Sequence, residues 1–475
     1  MRPLKKALGS VVLVLVAASL DAQPASQLSA EVRQFVSVDA PVVALIGVQV
    51  VDGTGAPPKA GQTVVIDNGR ITAVGNAAEV TVPAGAQRLE LSGHTVIPGI
   101  VGMHNHTFYT TAKRESQMNV TSPRLYLASG VTTIRTTGSF SPYSEINLKR
   151  SIDNGEIAGP RMHVTGPYIS GKGADTTMAQ VTTPEDARRV VGYWADEGAT
   201  WFKAYTLISR AELEAAIDEA HRRGLKFTAH LCSVTFREAV DLGIDGLEHG
   251  FFTNTEYDPD KKPDECPAGY QQHLQRMEVG GEQVQATVRH MIAKGVALTS
   301  TLAVYELYVP GRPPLEDRVL RAIAPEAREE YLVQRKEIAA AAKESVMKDI
   351  FPRAQAFEYA FYKAGGLLAA GVDPTGNGGA LPGFGDQRNY ELLLEAEFTP
   401  AEALQIMTLN GAKVLGVDKD LGSIAVGKIA DLVVIEGDPV ARHAEIRNVV
   451  TVFKDGVGYD SKKLIDSVEG LVGIQ

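Results

Sequence analysis

The middle of the chain alternates short apolar segments with amphipathic helical patterns, and this alternation constrains the fold more than any other feature. Eight segments have the pattern of a buried strand: GIVGMHNH, VTTIRTTG, RMHVTGPYI, WFKAY, KFTAHL, GLEHGF, ALTSTLA and LLAAGVD. Helical runs such as RAELEAAIDEAHRRG separate many of them. Eight βα units in about 300 residues predict an α/β fold of the TIM-barrel type. A doubly wound open sheet is the alternative, but no glycine-rich phosphate loop follows the first strand.

Both ends of the chain have a different sequence pattern, in which short predicted strands alternate with turns. The segments ALIGVQVVDG, QTVVIDNGRITAVG and QRLELSGHTVIPG come before the α/β region, and ADLVVIEGDP and IRNVVTVFKDGV come after it. The sequence Asp67-Asn68-Gly69 indicates a hairpin turn. We therefore expect residues 41–97 and 412–462 to meet as one small composite β-sandwich, beside a barrel domain at residues 98–411.

The first residues, MRPLKKALGSVVLVLVAASLDAQ, have the pattern of a secretory signal peptide. Three cations, Arg2, Lys5 and Lys6, come before an apolar stretch from Ala7 to Leu20. This stretch is short for a helix that crosses a bilayer, and a single membrane anchor is the alternative. We predict a signal peptide at residues 1–22 and an exported protein, periplasmic or secreted, without stable membrane association after signal removal.

The composition excludes several classes of protein. The formal net charge is −10 at pH 7 and no basic stripe is present, which argues against nucleic acid or an anionic membrane as the main partner. Apolar residues make up 44% of the chain, enough for a substantial core. The chain has only Cys232 and Cys266, so it is no disulfide scaffold, and one bridge or two free thiols are both compatible with the sequence.

Two segments are longer than an ordinary connection between a strand and a helix. The segment near residues 252–281 is polar and acidic, and the segment near residues 308–350 contains the helical pattern PEAREEYLVQRKEIAAAAKESV. In a barrel both would follow strands on the catalytic face, which makes them candidate lids or specificity loops. Surface elaboration or a subunit contact is equally compatible with their composition.

Chemically active side chains recur where the predicted barrel strands end. The first strand ends in His104-Asn105-His106, and because strand side chains alternate, both imidazoles project to the same side as a pair of metal ligands. Four further groups stand near the ends of later strands: Lys203, His230, His249 and Asp373. A lysine within an apolar strand is costly to bury unless it is chemically used. Six such groups at matching positions predict a metal site at the mouth of the barrel.

These segments resemble the amidohydrolase superfamily, in particular its metal-dependent Xaa-Pro dipeptidase (prolidase-like) and ochratoxinase-like branch. The matching segments include HTVIPGIVGMHNH, GVTTIR, GATWFKAY, KFTAH, GIDGLEHG, AGVDPTGN and LGSIAVGKIADLVVIEGDP, and the resemblance covers about residues 41–460. The sequence departs from the branch at SGKGADTT, where a GGHGD-type stretch is usual, and at Thr136, where an aspartate is usual. These departures leave the metal site intact and leave the substrate open.

The resemblance implies a centre of two divalent metal ions, with zinc favoured. It assigns His104, His106 and Asp373 to the first ion, assigns His230 and His249 to the second, and makes Lys203, as a carboxylated lysine, the bridge. Two ions that share a water lower its pKa and supply hydroxide at neutral pH. Asp373 would then take the proton and pass it to the leaving amine.

Two further side chains stand beside these groups in the sequence. Tyr205 follows Lys203 by two residues on the same strand face, so it is a candidate for substrate or oxyanion contact, or a tyrosine that packs in the wall. Glu248 comes directly before His249, and alternation predicts that it points away from the barrel interior into structural hydrogen bonds.

The expected activity is hydrolysis of an amide or peptide bond in a small molecule, a dipeptide or an N-acyl amino acid, by a homo-oligomeric enzyme. A deaminase or a hydrolase of cyclic amides such as imidazolones is the alternative. Mononuclear deaminases carry an HxxE motif, whereas His230 is followed by Leu231, Cys232 and Ser233. A non-catalytic interaction protein fits least well, because all six candidate ligand groups are present.

Overall fold

The computed structural model describes residues 22–76 and 78–474. The predicted signal peptide lies outside the described residues, except for Ala22. Six strands come before the barrel: β1 (Val36–Val38), β2 (Val42–Val50), β3 (Lys59–Asp67), β4 (Arg70–Asn76), β5 (Gln87–Glu90) and β6 (His94–Pro98). The predicted hairpin turn joins β3 to β4, and Asn68 and Gly69 adopt φ values of 46° and 80° there. Asparagine and glycine tolerate this conformation better than other residues, which explains why they occupy the turn.

The central region contains all eight predicted strand segments in parallel arrangement. Its strands are β7 (Ile100–Asn105), β8 (Phe108–Thr110), β9 (Glu115–Gln117), β10 (Val131–Thr136), β11 (Arg161–His163), β12 (Thr165–Ser170), β13 (Ala179–Gln180), β14 (Trp201–Ala204), β15 (Lys226–Ala229), β16 (Gly246–Glu248), β17 (Ala297–Ser300) and β18 (Leu368–Ala370). The eight predicted segments are β7, β10, β11 with β12, β14, β15, β16, β17 and β18, and short strands lie between some of them. The strands pair as two arcs, β11-β10-β7 and β13-β12-β14-β15-β16-β17-β18, while β8 and β9 form a separate hairpin.

Hydrogen bonds connect the two arcs at both of their junctions. At one junction the amide of Thr165 donates to Oγ1 of Thr136 over 3.0 Å. At the other, the amide of Asp373 donates to the carbonyl of His104 over 2.7 Å, so the last strand ends beside the first. The predicted TIM barrel is confirmed, with contacts rather than a regular ladder at these junctions.

The last strands return to the first sheet. They are β19 (Leu432–Glu436), β20 (Val449–Lys454) and β21 (Val457–Asp460), and they complete a nine-stranded sheet in the order β1-β21-β20-β19-β6-β2-β3-β4, with β5 paired to β2. The two ends of the chain therefore share one sheet. This sheet includes β1, which lies before residue 41, whereas residues 412–415 are helical. One face of the sheet covers its own apolar cluster, which includes Leu45, Ile66 and Phe453.

Helices surround the barrel and cover the remaining sheet surface. They are α1 (Ala30–Arg33), α2 (Thr121–Ala128), α3 (Pro142–Asp153), α4 (Pro184–Glu197), α5 (Arg210–Arg222), α6 (Phe236–Asp241), α7 (Gln271–Leu274), α8 (Glu282–Ala293), α9 (Leu302–Glu306), α10 (Asp317–Ala322), α11 (Pro325–Ala340), α12 (Met347–Lys363), α13 (Phe384–Glu395), α14 (Pro400–Gln405), α15 (Gly411–Leu415) and α16 (Ser461–Asp466). The helix α5 begins with a capping box formed by Ser209 and Glu212, which satisfies backbone amides at its first turn. Within the described part of the chain, none of these helices combines the length and apolarity needed to traverse a bilayer.

A disulfide bond joins Cys232 to Cys266, with their Cα atoms 4.9 Å apart. Cys232 follows β15, and Cys266 belongs to the inserted segment near residues 252–281. The bond therefore fastens this inserted segment to the end of a barrel strand.

A buried ion cluster joins the barrel to the nine-stranded sheet. Arg161 on β11 donates to Asp431 over 3.0 Å and to Asp455 over 2.5 Å, and all three side chains are nearly inaccessible to solvent. The arginine thus pairs with two carboxylates that would otherwise be buried without a full complement of partners.

We predict that Arg161→Met lowers the free energy of unfolding by about 3–5 kcal/mol, because it leaves two buried carboxylates without their arginine. Chemical denaturation followed by circular dichroism measures the change. Arg88→Met is the control, since Arg88 makes a 3.5 Å pair with Glu90 at the surface and its loss should change stability by about 0.5 kcal/mol or less. Equal stability of the two variants would contradict the role of the cluster.

Candidate active site

The structure brings the six predicted ligand groups together at the C-terminal ends of the barrel strands. Nζ of Lys203 lies 3.1 Å from Nε2 of His104. The carboxylate of Asp373 lies 3.3 Å from Nε2 of His106 and 3.7 Å from Nε2 of His104. The ring of His249 lies 4.5 Å from the ring of His104 and 4.5 Å from that of His230, between centroids. One compact cluster therefore contains side chains from five different strands.

The chemistry of this cluster fits a metal centre. His104, His106 and Asp373 are buried and offer donor atoms that all lie within 4.8 Å of one another. Nδ1 of His249 lies 2.8 Å from the hydroxyl of Thr301, while its Nε2 is buried without a hydrogen-bond partner among the described residues. An imidazole nitrogen buried without a partner is costly unless a cation binds it. Imidazole and carboxylate donors are the ligands that zinc prefers.

Two of the ligand groups have backbone conformations that are rare outside glycine. The φ angle is 66° at His249 and 47° at Asp373, each directly at the end of its strand. Non-glycine residues in this region are strained, and such strain is concentrated at functional sites. Both side chains lie in the ligand cluster, where each contacts His104.

Burial keeps the imidazoles neutral. It lowers the pKa of His104 and of His249, and it lowers the pKa of His106 to about 4 and that of His230 to about 3. Neutral imidazoles are the form that binds metals. Burial alone would raise the pKa of Asp373, but the neighbouring His104 and His106 stabilise its anion and hold its pKa well below the ordinary value.

The prediction that Glu248 points away from the barrel interior is wrong. Its buried carboxylate accepts a hydrogen bond from Nδ1 of His104 over 2.8 Å, and others from Arg135 and Thr228 over 2.5 Å each. Strict alternation ends at Glu248, because β16 stops there and His249 takes a positive φ. Both side chains therefore contribute to the site.

Glu248 fixes the orientation of the His104 ring. Because Nδ1 of His104 donates to this carboxylate, Nε2 is left to face Lys203 and Asp373. Burial would raise the pKa of Glu248, but Arg135, His104 and Lys203 together outweigh burial and hold the pKa below the ordinary value. Carboxylate partners of this kind fix the tautomer and raise the basicity of a ligating histidine.

We predict that Glu248→Gln weakens metal affinity roughly 10- to 100-fold, because the amide is a poorer acceptor for His104 and leaves Arg135 without its counter-ion. Titration of the metal-free protein with zinc and a chromophoric chelator measures the change.

Glu358→Gln is the matched control for this experiment. Glu358 on α12 is equally buried, yet it makes no hydrogen bond or ion pair with the six ligand groups in the described part of the chain. Burial raises its pKa to about 8, so it is largely protonated at neutral pH and glutamine is a close mimic. Unchanged metal affinity in Glu248→Gln would remove Glu248 from the metal site.

An open cavity of about 530 Å³ lies above the ligand cluster. Its lining residues are Phe108, Thr110, Phe140, Tyr168, Lys203, Tyr205, His230, His249, Tyr270, Gln271, Val304, Tyr305, Tyr308, Met347, Asp373, Thr375 and Gly376. Tyr205 lies in this wall with its ring centroid 4.7 Å from that of His230. The two inserted segments supply Tyr270, Gln271, Tyr308 and Met347, so both contribute to the catalytic face. The sequence did not single out Phe140 or Tyr305, because both follow barrel strands in connections without a recognisable motif.

The profile of the amidohydrolase family matches residues 95–458. The chain belongs to the amidohydrolase family. It is accordingly a hydrolase that acts on carbon–nitrogen bonds, and the buried His104, His106 and Asp373 fit the divalent metal that the family uses.

Solved structures agree with this membership. A prolidase-like protein from Bifidobacterium longum is 26% identical, with 90% of this chain and 98% of that chain covered and a TM-score of 0.65. A Xaa-Pro dipeptidase with methionine bound in its active site is 21% identical, with 88% and 100% covered and a TM-score of 0.66. The ochratoxinase of A. niger is 18% identical, with 89% and 96% covered and a TM-score of 0.63. The last two similarities show the fold alone.

Curated relatives match over short segments. The imidazolonepropionase of Desulfotalea psychrophila is 40% identical over 67 residues, which are 14% of this chain and 16% of that protein. The 5-methylthioadenosine/S-adenosylhomocysteine deaminase of Thermoanaerobacter pseudethanolicus is 53% identical over 51 residues, which are 10% of this chain and 12% of that protein. The chain thus matches less than a fifth of the length of either relative.

Proposed function

We propose that the protein hydrolyses the amide or peptide bond of a small substrate, a dipeptide or an N-acyl amino acid, with two divalent metal ions, preferably zinc. The observation that carries this proposal is the convergence of six ligand groups below an open cavity, including a lysine that contacts His104 over 3.1 Å. A structural core would not need a buried lysine among four histidines and an aspartate.

In this proposal the donor set would divide between two ions. His104, His106 and Asp373 would hold the first ion, and His230 and His249 the second. Burial lowers the pKa of Lys203 to about 8, so part of its amine is neutral near pH 7. A neutral amine adds to carbon dioxide, loses a proton and becomes a carbamate whose two oxygens suit a bridging position. When bound, the ions would lower the pKa of the attacking water and polarise the scissile carbonyl.

In this proposal Asp373 carries out the proton transfers. Its carboxylate lies at the floor of the cavity and accepts a hydrogen bond from the hydroxyl of Thr375 over 3.0 Å, which orients it. In this scheme Asp373 takes the proton of the attacking water and gives it to the nitrogen of the leaving amine. Burial raises the pKa of Tyr205, so its hydroxyl stays protonated and donates to the substrate or to the developing oxyanion.

We also propose that the protein is exported to the periplasm or beyond and that it forms a homo-oligomer. The disulfide between Cys232 and Cys266 supports export, because such bonds persist in oxidising compartments. Cys266 is exposed, so small thiols in a reducing compartment would reach the bond and reduce it.

Deamination or hydrolysis of a cyclic amide is the second candidate, because short segments resemble an imidazolonepropionase and a deaminase. The position three residues after His230, which is glutamate in mononuclear deaminases, is Ser233. This serine is buried and donates to the carbonyl of Ile208 over 2.5 Å, which leaves it without a proton-transfer role. Amide hydrolysis therefore has the stronger support.

We predict two divalent ions per chain in carefully purified protein, and loss of metal and activity together in Lys203→Ala, because the bridge is removed. Elemental analysis and turnover measure both effects, and short carboxylic acids should partly restore activity. Lys226→Met is the control, since Lys226 on the adjacent strand donates to the carbonyl of Val414 over 2.7 Å and serves no ligand group. One ion in fully active protein would contradict the binuclear centre.

Asp373→Asn should reduce turnover roughly 10²- to 10⁴-fold with much less effect on substrate binding, because asparagine keeps the shape but removes the base. His230→Ala should instead deplete metal. Mass spectrometry of the products should show a carboxylic acid and an amine in equal amounts. Near-wild-type turnover in Asp373→Asn with its metals bound would exclude Asp373 as the proton carrier. Stoichiometric release of ammonia from a substrate with a ring amidine would instead favour deamination.

A further inference from the structure

One side of the cavity is a continuous row of aromatic rings. Phe108 and Phe140 lie 4.9 Å apart between ring centroids, Phe140 and Tyr168 lie 4.9 Å apart, and Tyr168 and Tyr205 lie 5.2 Å apart. These distances are those of favourable aromatic pairs. We call these four residues the aromatic row. Both ends of the row contact the ligand cluster, since Tyr205 lies 4.7 Å from His230 and Phe108 lies 4.5 Å from His106 between ring centroids.

Further aromatic side chains come from α9 and from the inserted segments. Tyr305 stacks on Phe252 at 3.8 Å with the rings almost parallel, and it lies 5.4 Å from His249. This stacking fixes the ring of Tyr305 beside the ligand cluster. Tyr270 and Tyr308 complete the lining, with Met347 filling a position at the start of α12. Groups on more than one side of a bound amide would therefore meet apolar or aromatic surface.

In the part of the chain that the structure describes, the cavity lining has no cation left to pair with a charged substrate. Among the lining residues that the structure describes, the only lysine or arginine is Lys203, which contacts the ligand group His104. A substrate carboxylate held away from the metal ligands would find tyrosine hydroxyls and the amide of Gln271, but no guanidinium or ammonium group of the described lining. Desolvating an unpaired carboxylate is costly, so binding energy must come from apolar contact.

We infer that the substrate carries a bulky aromatic group beside the scissile amide, that this group packs on the aromatic row, and that a free carboxylate is not needed for recognition. This inference rests on the proposed amide hydrolysis and specifies its substrate class. Phe140 is the specificity-determining residue, because it is half-buried at the centre of the row and contacts rings on both sides.

A matched panel of substrates tests the inference with the metal-loaded protein. N-benzoylphenylalanine should be hydrolysed with a kcat/KM at least about 10-fold above that of N-acetylalanine, because a ring buried in the cavity contributes to binding. The methyl ester of N-benzoylphenylalanine should lie within about 3-fold of the free acid. If kcat/KM for the ester is more than about 30-fold below that for the free acid, the free carboxylate makes an ion pair with the protein. That result would overturn the inference. A preference for N-acetylalanine would overturn it as well.

Variants of Phe140 locate the effect in the row. Phe140→Ala should lower kcat/KM for N-benzoylphenylalanine roughly 10- to 100-fold and leave N-acetylalanine little changed. Phe140→Leu keeps most of the apolar volume, guards against a folding defect, and should lose selectivity in the same direction. Tyr193→Ala is the control, since Tyr193 is a half-exposed aromatic residue on α4 that packs against Trp194 outside the cavity. Equal selectivity in the Phe140 variants and in wild-type protein would refute the assignment.

A binding measurement separates this inference from the proposed function. If no amide of the panel is hydrolysed, the proposed function fails, and calorimetry with neutral amides then tests the cavity alone. N-benzylacetamide should bind to wild-type protein and bind at least about 10-fold more weakly to Phe140→Ala. N-methylacetamide, which lacks the ring, should show no such difference. Equal binding of the two amides to wild-type protein would overturn the inference without reference to catalysis.

Discussion

The hydrogen bond from the amide of Asp373 to the carbonyl of His104 is the contact on which the arrangement of the site depends. It joins the end of the last barrel strand to the end of the first, so two ligand groups far apart in sequence become neighbours. The register of neighbouring strands is important because a slip by one residue turns every side chain of the strand to the other face. A slip at this junction would move the carboxylate of Asp373 away from His104 and His106, with which it now lies in contact.

Burying the polar groups of the ligand cluster costs free energy, and contacts with the surrounding residues reduce this cost. The imidazoles are held neutral by burial, and Glu248 is the anion that ties His104 to Arg135. Arg135 also lies over the ring of Trp201 at 4.5 Å, so its charge is partnered from two directions. Among the described residues, the Nε2 atom of His249 is one of the buried polar atoms in this region that have no hydrogen-bond partner. A cation bound at the mouth of the barrel would satisfy it, so metal binding and stability of this region are linked.

The sequence was sufficient to predict the barrel and the cluster, for a physical reason. Parallel strands buried on both faces read as short apolar runs, and a polar group at the end of such a run, such as Asp373 after LLAAG, stands out. The position of Glu248 was missed because alternation holds only while the strand lasts, and His249 ends it with a positive φ. The disulfide could not be decided, because pairing depends on the distance between Cys232 and Cys266 in the fold. Phe140 was missed because loop conformation is set by tertiary contacts.

The ligand groups and the cavity wall belong to different parts of the chain. The ligand groups stand on barrel strands or directly after them, where backbone hydrogen bonds fix their positions. Much of the wall comes instead from connections and inserted segments, which supply Phe140, Tyr270, Tyr308 and Met347. The disulfide bond begins two residues after His230 and ends four residues before Tyr270, so it holds part of the wall against the ligand cluster. Substitutions in the wall can therefore change the accepted substrate without displacing the ligand groups, and variation in the loops around a constant barrel is how one fold supports many chemistries.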